Sequence, residues 1–272
     1  MKINRHGELK YITFDNISAT GLVNHAFSTR SGGVSQGCFS SLNLGFFRGD
    51  EGDHVLENYR RISEAVGFDW QNTVFSNQIH GINVHRATAA DRGNGFCHVS
   101  PVRDMDAFIT DEENVVLQTF HADCAPIFFV DPVRRAVGLA HAGWLGTLRE
   151  IARVCVERMT AEFGTDPADI VAAIGPSIGP DSFEVDSDVA VRFADELPFS
   201  HEFTKRAGTK FLIDLWAINR RILEYSGVMP SNIEEARLCT YQRPDMFYSH
   251  RLVGTERGTM AAFIEIKAGC GV

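Results

Sequence analysis

The stretch VVLQTFHADCAPIFFVDPVRRAVGLA, residues 115–140, decides the fold. It contains three short apolar runs, at 115–120, 127–130 and 136–140, which are typical of strands that are covered on both faces. The segments between them, 121–126 and 131–135, are too short for the helical crossover that parallel neighbours need. The sheet must therefore be mixed, and the class is α+β, or mixed α/β, and not a doubly wound parallel fold.

Further elements are predicted on both sides of this stretch. Strand-like runs occupy residues 74–76, 82–85, 107–109, 170–174, 237–240 and 260–266. Apolar residues at helical spacing predict four helices, around residues 55–66, 144–159, 185–193 and 215–225. Asp53 and Asp214 are placed to cap the first and the last of these helices.

The composition limits the classes of partner. With 272 residues and 44% hydrophobic content, the chain can bury the core of one large domain or two small ones. A net charge of −9 argues against nucleic acid or an anionic membrane as the main partner. No apolar run approaches the ~18 residues of a membrane span, and the N-terminal residues do not resemble a signal peptide. We therefore expect a cytoplasmic protein whose six widely spaced cysteines are reduced.

Three metal-competent side chains stand at the ends of predicted strands. They are His80 in QIHG, Cys124 in ADCAP and His141 in HAGW. One thiolate and two imidazoles suit Zn²⁺, and three protein ligands leave a position open, as in catalytic zinc sites. Taken singly, each has a simpler interpretation, because a loop histidine is usually only hydrogen-bonded and a buried cysteine is usually inert. The hypothesis therefore depends on whether the three side chains meet.

Other motifs are weaker. Residues 29–35, TRSGGVS, combine a cation, flexible backbone and hydroxyls, which is the composition of an anion-binding nest as well as of a simple turn. The sequence contains no Walker A, dinucleotide-binding, zinc-protease or serine-hydrolase motif.

Taken together and in order, these segments resemble one family over nearly the whole chain. It is the family first described as multicopper polyphenol oxidoreductase (laccase), later linked to purine nucleoside phosphorylase and adenosine deaminase chemistry, and also known as peptidoglycan editing factor (YfiH/YlmD-like). The segments that carry the resemblance are HAFSTRSGGVS (25–35), SLNLG (41–45), ENYRR (57–61), QIHG (78–81), ADCAP (122–126), HAGW (141–144), IGPSIG (174–179) and FYSHR (247–251).

The resemblance implies one domain over residues 1–272, built as four layers, α/β/β/α, on mixed sheets. It implies a catalytic zinc site at His80, Cys124 and His141. The implied reaction is the cleavage by phosphate of adenosine, inosine or S-methyl-5′-thioadenosine to free base and a ribose 1-phosphate, with hydrolytic deamination of adenosine as a further activity. The implied partners are small purine nucleosides and phosphate, with no nucleic acid and no membrane.

The resembling segments also supply candidates for substrate and proton handling. For binding phosphate and substrate we select five residues, two of which carry guanidinium groups that suit a phosphate dianion. They are Arg30, Ser31, Asn43, His250 and Arg251. Arg30 and Arg251 are expected to face the metal pocket from opposite ends of the chain, with the backbone of Ser31 to Gly33 offering N–H groups. Asp123 and Glu184 are the acidic candidates for moving protons.

The chain departs from the family pattern at three places. Leu145 follows HAGW where the family usually has Arg. If that Arg holds phosphate or substrate in the family, its replacement weakens or alters activity here. Ser182 stands where a second cysteine is common, which removes a thiolate for copper. The order Glu256-Arg257-Gly258 replaces a usual Gly-Arg, so Arg257 is expected to point elsewhere.

Three alternative functions remain open from the sequence. The first is copper-dependent phenol oxidation, since thiolate–imidazole sites also accept copper. The second is a hydrolase with a Cys124–His141 nucleophile pair, which excludes a metal role for the same thiolate. The third is an editing partner in cell-wall synthesis that binds an intermediate without a metal.

Overall fold

Short strands and helices alternate along the chain. The computed structural model describes residues 1–98 and 101–269. The strands of this part are β1 (Lys2–His6), β2 (Leu9–Thr13), β3 (Val23–Ser28), β4 (Thr73–Val74), β5 (Val84–Arg86), β6 (Ala107–Thr110), β7 (Val116–His121), β8 (Ala125–Asp131), β9 (Ala136–Ala142), β10 (Val171–Ile174), β11 (Glu184–Val185), β12 (Thr204–Ala207), β13 (Lys210–Ile213), β14 (Ile233–Glu235) and β15 (Met260–Ile266). Its α-helices are α1 (Asp15–Ala19), α2 (Gly52–Val66), α3 (Trp144–Leu148), α4 (Ile151–Phe163), α5 (Ser187–Glu196), α6 (Leu215–Tyr225) and α7 (His250–Val253).

The strands form two large mixed sheets and one small one. The first sheet has the order β1-β2-β3-β15-β7-β4, and β4 runs parallel to β7 while the other neighbours are antiparallel. The second has the order β14-β10-β8-β9-β6-β5, with parallel pairs at both edges. Strands β11, β13 and β12 form a small antiparallel sheet. The predicted mixed character is confirmed.

The two large sheets pack face to face between helices. Strand β8 shows this directly, because Phe128 and Val130 pack with residues of the first sheet while Ile127 and Phe129 pack with α4. On the far side of the first sheet, Tyr59 of α2 packs on that sheet. Each fully buried side chain of this kind contributes about 1.5–3 kcal/mol. The result is the four-layer α/β/β/α arrangement of a single domain that the resemblance implied, and it is confirmed.

Two helix predictions need correction. The stripe at residues 144–159 is divided into α3 and α4, because Glu150 takes a left-handed conformation with φ 57° between them. Helix α2 begins at Gly52 with Glu51 at its N-cap, so Asp53 lies in the first turn and does not cap it. The cap of α6 is confirmed, since the Asp214 carboxylate accepts a hydrogen bond from the Ala217 amide.

The strand prediction at 237–240 is also wrong. The strand is β14, a few residues earlier, and Arg237 then takes a positive φ of 49° that an extended strand excludes. Of the six cysteines, Cys270 lies outside the described residues, and the other five are free thiols. Among the described residues no helix is both long enough and apolar enough to cross a membrane.

Candidate metal centre

His80, Cys124 and His141 meet at one edge of the second sheet. His141 lies near the end of β9, and the antiparallel register that pairs it with Pro126 brings Cys124, just before β8, to the same edge. His80 reaches this edge from the loop between β4 and β5, where its φ is 60°. One ligand atom of each side chain lies within 4.8 Å of the others.

The donor set fits a metal ion. Ligand atoms around a tetrahedral zinc lie about 3.5 Å apart, given bonds of about 2.0–2.3 Å. The observed spread of 4.8 Å is wider, so a bound ion would draw the three side chains closer. Within residues 1–98 and 101–269, no other group of three or more His, Cys, Asp or Glu side chains brings its ligand atoms together in this way.

Asp106, which the sequence analysis did not select, holds two of the three ligands. Its carboxylate is fully buried and accepts a hydrogen bond from His141 Nδ1 at 2.9 Å. It also accepts the backbone N–H groups of residues 79, 80 and 81, at 3.1, 2.9 and 2.8 Å. Burial alone would raise the pKa of Asp106, but these bonds keep it below its usual value. The Nδ1 bond leaves His141 Nε2 free to face Cys124, in the carboxylate–histidine arrangement of metal sites.

The neighbouring histidines favour the thiolate form of Cys124. Burial raises the pKa of Cys124, but the charge of His141 and the hydrogen bonds from His141 and His80 outweigh it and lower this pKa to about 6. Burial lowers the pKa of His141, but the charge of Cys124 and the bond to Asp106 raise it to about 9. Cys124 is therefore a thiolate at neutral pH, which is the form that binds metals.

The glycine of HAGW, Gly143, lies in close contact with two of the ligands. A Cβ atom at this position would lie 2.9 Å from His80 Cδ2 and 3.1 Å from Cys124 Sγ. The space between the ligands therefore admits hydrogen only. Glycine is required here by the close approach of two ligands, because its φ of −70° is open to any residue.

His121 anchors the loop that carries Cys124. Its Nδ1 donates to the Cys124 carbonyl at 3.0 Å, since a carbonyl can only accept, and its Nε2 then accepts from the Thr119 hydroxyl at 2.7 Å. The ring is buried, and burial followed by the charge of His141 keeps the pKa of His121 well below its usual value. His121 is therefore a neutral support beside the metal ligands.

A cavity of about 730 Å³ opens from the three ligands. Its volume is typical of small-molecule sites. Its apolar walls are formed by Phe46, Phe75, Phe120, Trp144, Ile178, Phe183 and Leu215, and its cations are Arg48, Arg251 and Arg257.

Arg257 points into this cavity, so the expectation that it points elsewhere is wrong. It is only 6% exposed, and its Nη1 donates to the Gly258 carbonyl and to Thr259 Oγ1. Its Nε is buried, and none of the described residues accepts a hydrogen bond from it. Burial and the nearby charge of Arg48 lower the pKa of Arg257 to about 10, which still leaves it a cation at neutral pH. A guanidinium group that lines a cavity is suited to binding an anion.

The cavity brings together some of the predicted binding residues. His250 and Arg251 both line it, from α7. Arg251 Nη1 donates to the carbonyls of Ser182 and Glu184, so this guanidinium also joins α7 to β11.

Arg30 and Ser31 do not reach the cavity, and the expectation that they do is wrong. They line a separate depression with Gly32, Gly33, Ser40 and Ser41. The Arg30 guanidinium is held by the carbonyls of Ser40 and Pro244. The amides of Gly32 and Gly33 donate to Ser41 Oγ, so the expected nest is already filled by the chain itself.

Asn43 is buried and structural. Its side chain donates to Asp50 and to the Gly45 carbonyl, and it accepts from the amides of Gly45 and Thr259. It does not line the cavity.

Of the two acidic candidates for moving protons, one is already hydrogen-bonded and the other lies outside the cavity. Asp123 lines the cavity, but its carboxylate accepts Thr240 Oγ1, Ser249 Oγ and the Arg251 amide. Glu184 is exposed, pairs with Lys210 and does not line the cavity.

The departures at 145 and 182 are explained in part. Leu145 lies in α3 and packs on the core, outside the cavity lining. Ser182 Oγ accepts a hydrogen bond from Cys239 Sγ at 3.5 Å, also outside the lining. Of the site residues that sequence reasoning missed, Asp106 had one available signal, since it is an acidic residue directly before a buried strand.

Comparisons with known proteins agree with this architecture. Residues 24–267 match the family model described as multi-copper polyphenol oxidoreductase laccase. The chain is 40% identical over 246 residues to purine nucleoside phosphorylase YlmD of Bacillus subtilis, covering 89% of this chain and 87% of that protein. It is 35% identical to purine nucleoside phosphorylase LACC1 of Homo sapiens, covering 89% of this chain but 55% of that longer protein. The crystal structure of YlmD from Geobacillus stearothermophilus superposes with a TM-score of 0.90 at 34% identity, over 97% of this chain and 98% of the other.

We predict that Asp106→Asn weakens metal binding by about 10–100-fold, because the amide cannot accept all the N–H groups that the carboxylate holds. Competition with a chelator measures the affinity. Asp104→Asn is the matched control, since Asp104 lies in the same loop and, among the described residues, its hydrogen bonds are to Asn77 and Asn83. An Asp106→Asn protein with unchanged affinity would show that the carboxylate does not support the site.

We predict that Gly143→Ala displaces His80 or Cys124 and changes the absorption spectrum of the cobalt(II)-substituted protein, which reports ligand geometry. Gly52→Ala is the control, because no atom lies within 4 Å of a Cβ there. Identical cobalt spectra for Gly143→Ala and the unaltered protein would contradict the steric argument.

Proposed function

The chain belongs to the multi-copper polyphenol oxidoreductase laccase family, and we propose that it is a zinc-dependent purine nucleoside phosphorylase. One observation carries this proposal: the His80, Cys124 and His141 group opens into a cavity that is lined both by apolar side chains and by the guanidinium groups of three arginines. Such a cavity can receive a flat base and an oxyanion at the same time. The names of the Bacillus subtilis and human relatives support this activity.

The substrates that we propose are adenosine, inosine and S-methyl-5′-thioadenosine. Phosphate would convert each to the free base and the corresponding ribose 1-phosphate, and adenosine would also be deaminated by water to inosine. We place the activity in the single domain of residues 1–272 and in the cytoplasm. Nucleosides and phosphate are the partners, and no nucleic acid is required.

Zinc is the metal that we favour over copper. The cluster offers one thiolate and two imidazoles, and residues 1–98 and 101–269 contain no second cluster of this kind. The reduction of oxygen by laccases, in contrast, uses several coppers. Copper binds such ligands more tightly than zinc, but its availability in a reducing cytoplasm is low. A zinc ion at this place would supply Lewis acidity beside the cavity.

The phosphate subsite that we propose is centred on Arg257. Arg257 lines the cavity as a cation, and Arg48 and Arg251 add positive charge to the same cavity. The whole chain has a net charge of −9, so a dianion needs local cations of this kind. In this proposal Arg257, and not Arg30, binds the phosphate.

The base would lie against the aromatic side of the cavity. Phe75 and Phe120 contact each other edge to face, with ring centroids 5.1 Å apart, and both line the cavity. Apolar walls exclude water and leave only a few polar groups to orient the nucleoside. In the reaction a phosphate oxygen forms a bond to C1′ while the C1′–N9 bond breaks and its electron pair moves to the purine.

A second candidate has one specific observation in its favour. The Cys124 thiolate faces the His141 imidazolium, with a pKa of about 6 for the thiol and about 9 for the histidine. This is the arrangement of a cysteine nucleophile with its partner base. Cys124→Ser separates the two functions, because loss of metal together with activity indicates a ligand and retained metal without turnover indicates a nucleophile.

The central assay is chromatographic. We expect zinc-loaded protein to release adenine or hypoxanthine from adenosine or inosine only when phosphate is present, and to form inosine from adenosine without phosphate. If neither product forms, while the protein as purified contains stoichiometric copper and oxidises phenols, the laccase alternative is correct.

We predict that Arg257→Met raises the KM for phosphate at least about 10-fold, because a charge-assisted hydrogen bond is worth about 1.5–3 kcal/mol. Arg257→Lys, which keeps the charge, should recover part of this loss. Arg60→Met is the control, since that side chain is 63% exposed and lies outside the cavity. A phosphate KM that stays unchanged in Arg257→Met would place the subsite elsewhere.

A further inference from the structure

The proposed phosphorolysis leaves one chemical requirement unassigned, the proton for the departing purine. When the C1′–N9 bond breaks, the base carries the electron pair, and a proton donor that neutralises this charge accelerates the step by about 10²–10⁴-fold. The group must line the cavity and hold an exchangeable proton on an atom that makes no other hydrogen bond.

Most titratable groups of the cavity fail one of these conditions. The Asp123 carboxylate already accepts three hydrogen bonds. Both ring nitrogens of His121 are bonded, one to the Cys124 carbonyl and one to Thr119. His80, Cys124 and His141 form the metal centre. The three arginines line the cavity as guanidinium cations, which suit the phosphate and not proton transfer.

His250 meets all the conditions. It is the first residue of α7, it lines the cavity, and its ring is accessible from solvent. Its Nδ1 lies 3.0 Å from the Gly254 carbonyl oxygen. A carbonyl only accepts, so Nδ1 carries a hydrogen and Nε2 is the nitrogen left to face the substrate. Within the described part of the chain, no hydrogen bond or ion pair is formed by His250 Nε2.

The position of His250 is fixed relative to the metal centre. The residues on both sides of it bond to Asp123, through Ser249 Oγ at 3.1 Å and the Arg251 amide at 2.6 Å. Asp123 is the residue before Cys124, so the loop that carries the thiolate also holds the start of α7. The Arg251 guanidinium ties the same helix to the Glu184 carbonyl.

We propose that His250 is the general acid of the phosphorolysis, an inference that rests on the proposed function. In its protonated form, His250 Nε2 donates a proton to N7 of the purine as the C1′–N9 bond breaks. The phosphate oxygen bonds to C1′, the electron pair of the broken bond passes to the purine ring, and the neutral base leaves. His250 is then protonated again by solvent, to which its ring is exposed.

The test compares inosine with 7-methylinosine, whose positively charged base leaves without being protonated. With His250→Gln and saturating phosphate, we expect kcat on inosine to fall at least about 100-fold, because the general acid is lost. On 7-methylinosine we expect kcat to stay within about 3-fold of the unaltered protein. Zinc content and melting temperature should not change, since His250 is an exposed residue outside the ligand set.

His201→Gln is the matched control. His201 is also exposed, and its Nδ1 likewise faces a backbone carbonyl, that of Pro198, but it lies outside the cavity. It should retain full activity on both nucleosides.

Two outcomes overturn the assignment of His250 while leaving the phosphorylase intact. One is an equal loss on both nucleosides, which indicates a role in binding or folding, and the other is undiminished turnover of inosine by His250→Gln. A failure of the unaltered protein to cleave either nucleoside overturns the proposed function, and the proposal for His250 with it.

Discussion

The buried carboxylate of Asp106 is the constraint on which the site depends. It stands at the start of β6, where the register with β9 places it beside His141, and its oxygens accept His141 Nδ1 and three successive amides of the His80 loop. One charge therefore orients two ligands that are far apart in sequence. The cost of burying this charge is offset by four hydrogen bonds, and the third ligand is positioned by the register between β8 and β9.

The sequence predicted the architecture well where periodicity is the cause. The short connection between β8 and β9 required antiparallel neighbours, which is the pairing observed, whereas the connection at 121–126 leads from the first sheet to the second. It predicted helix boundaries less well, because the break at Glu150 is a backbone conformation that no apolar pattern records. The convergence of His80, Cys124 and His141 was only a hypothesis from residue types, and the family resemblance made it specific.

The binding residues show where sequence reasoning fails. Arg30 lies in a segment rich in glycine and hydroxyl groups, which suggested an anion site, but its donors are satisfied by the carbonyls of Ser40 and Pro244. For Arg257, the departure of its motif from the family order predicts that it points elsewhere, yet the residue lines the cavity. Neither outcome follows from local sequence, since both depend on which backbone carbonyls the tertiary structure brings near each guanidinium.

X-ray absorption at the zinc edge tests the central claim, that these three side chains hold a catalytic metal, most directly. For protein purified without added metal, the account predicts about one zinc per chain, with one sulfur at about 2.3 Å and nitrogen ligands at about 2.0–2.1 Å. A zinc shell without sulfur, or a protein that turns over nucleosides with no bound metal, would contradict it.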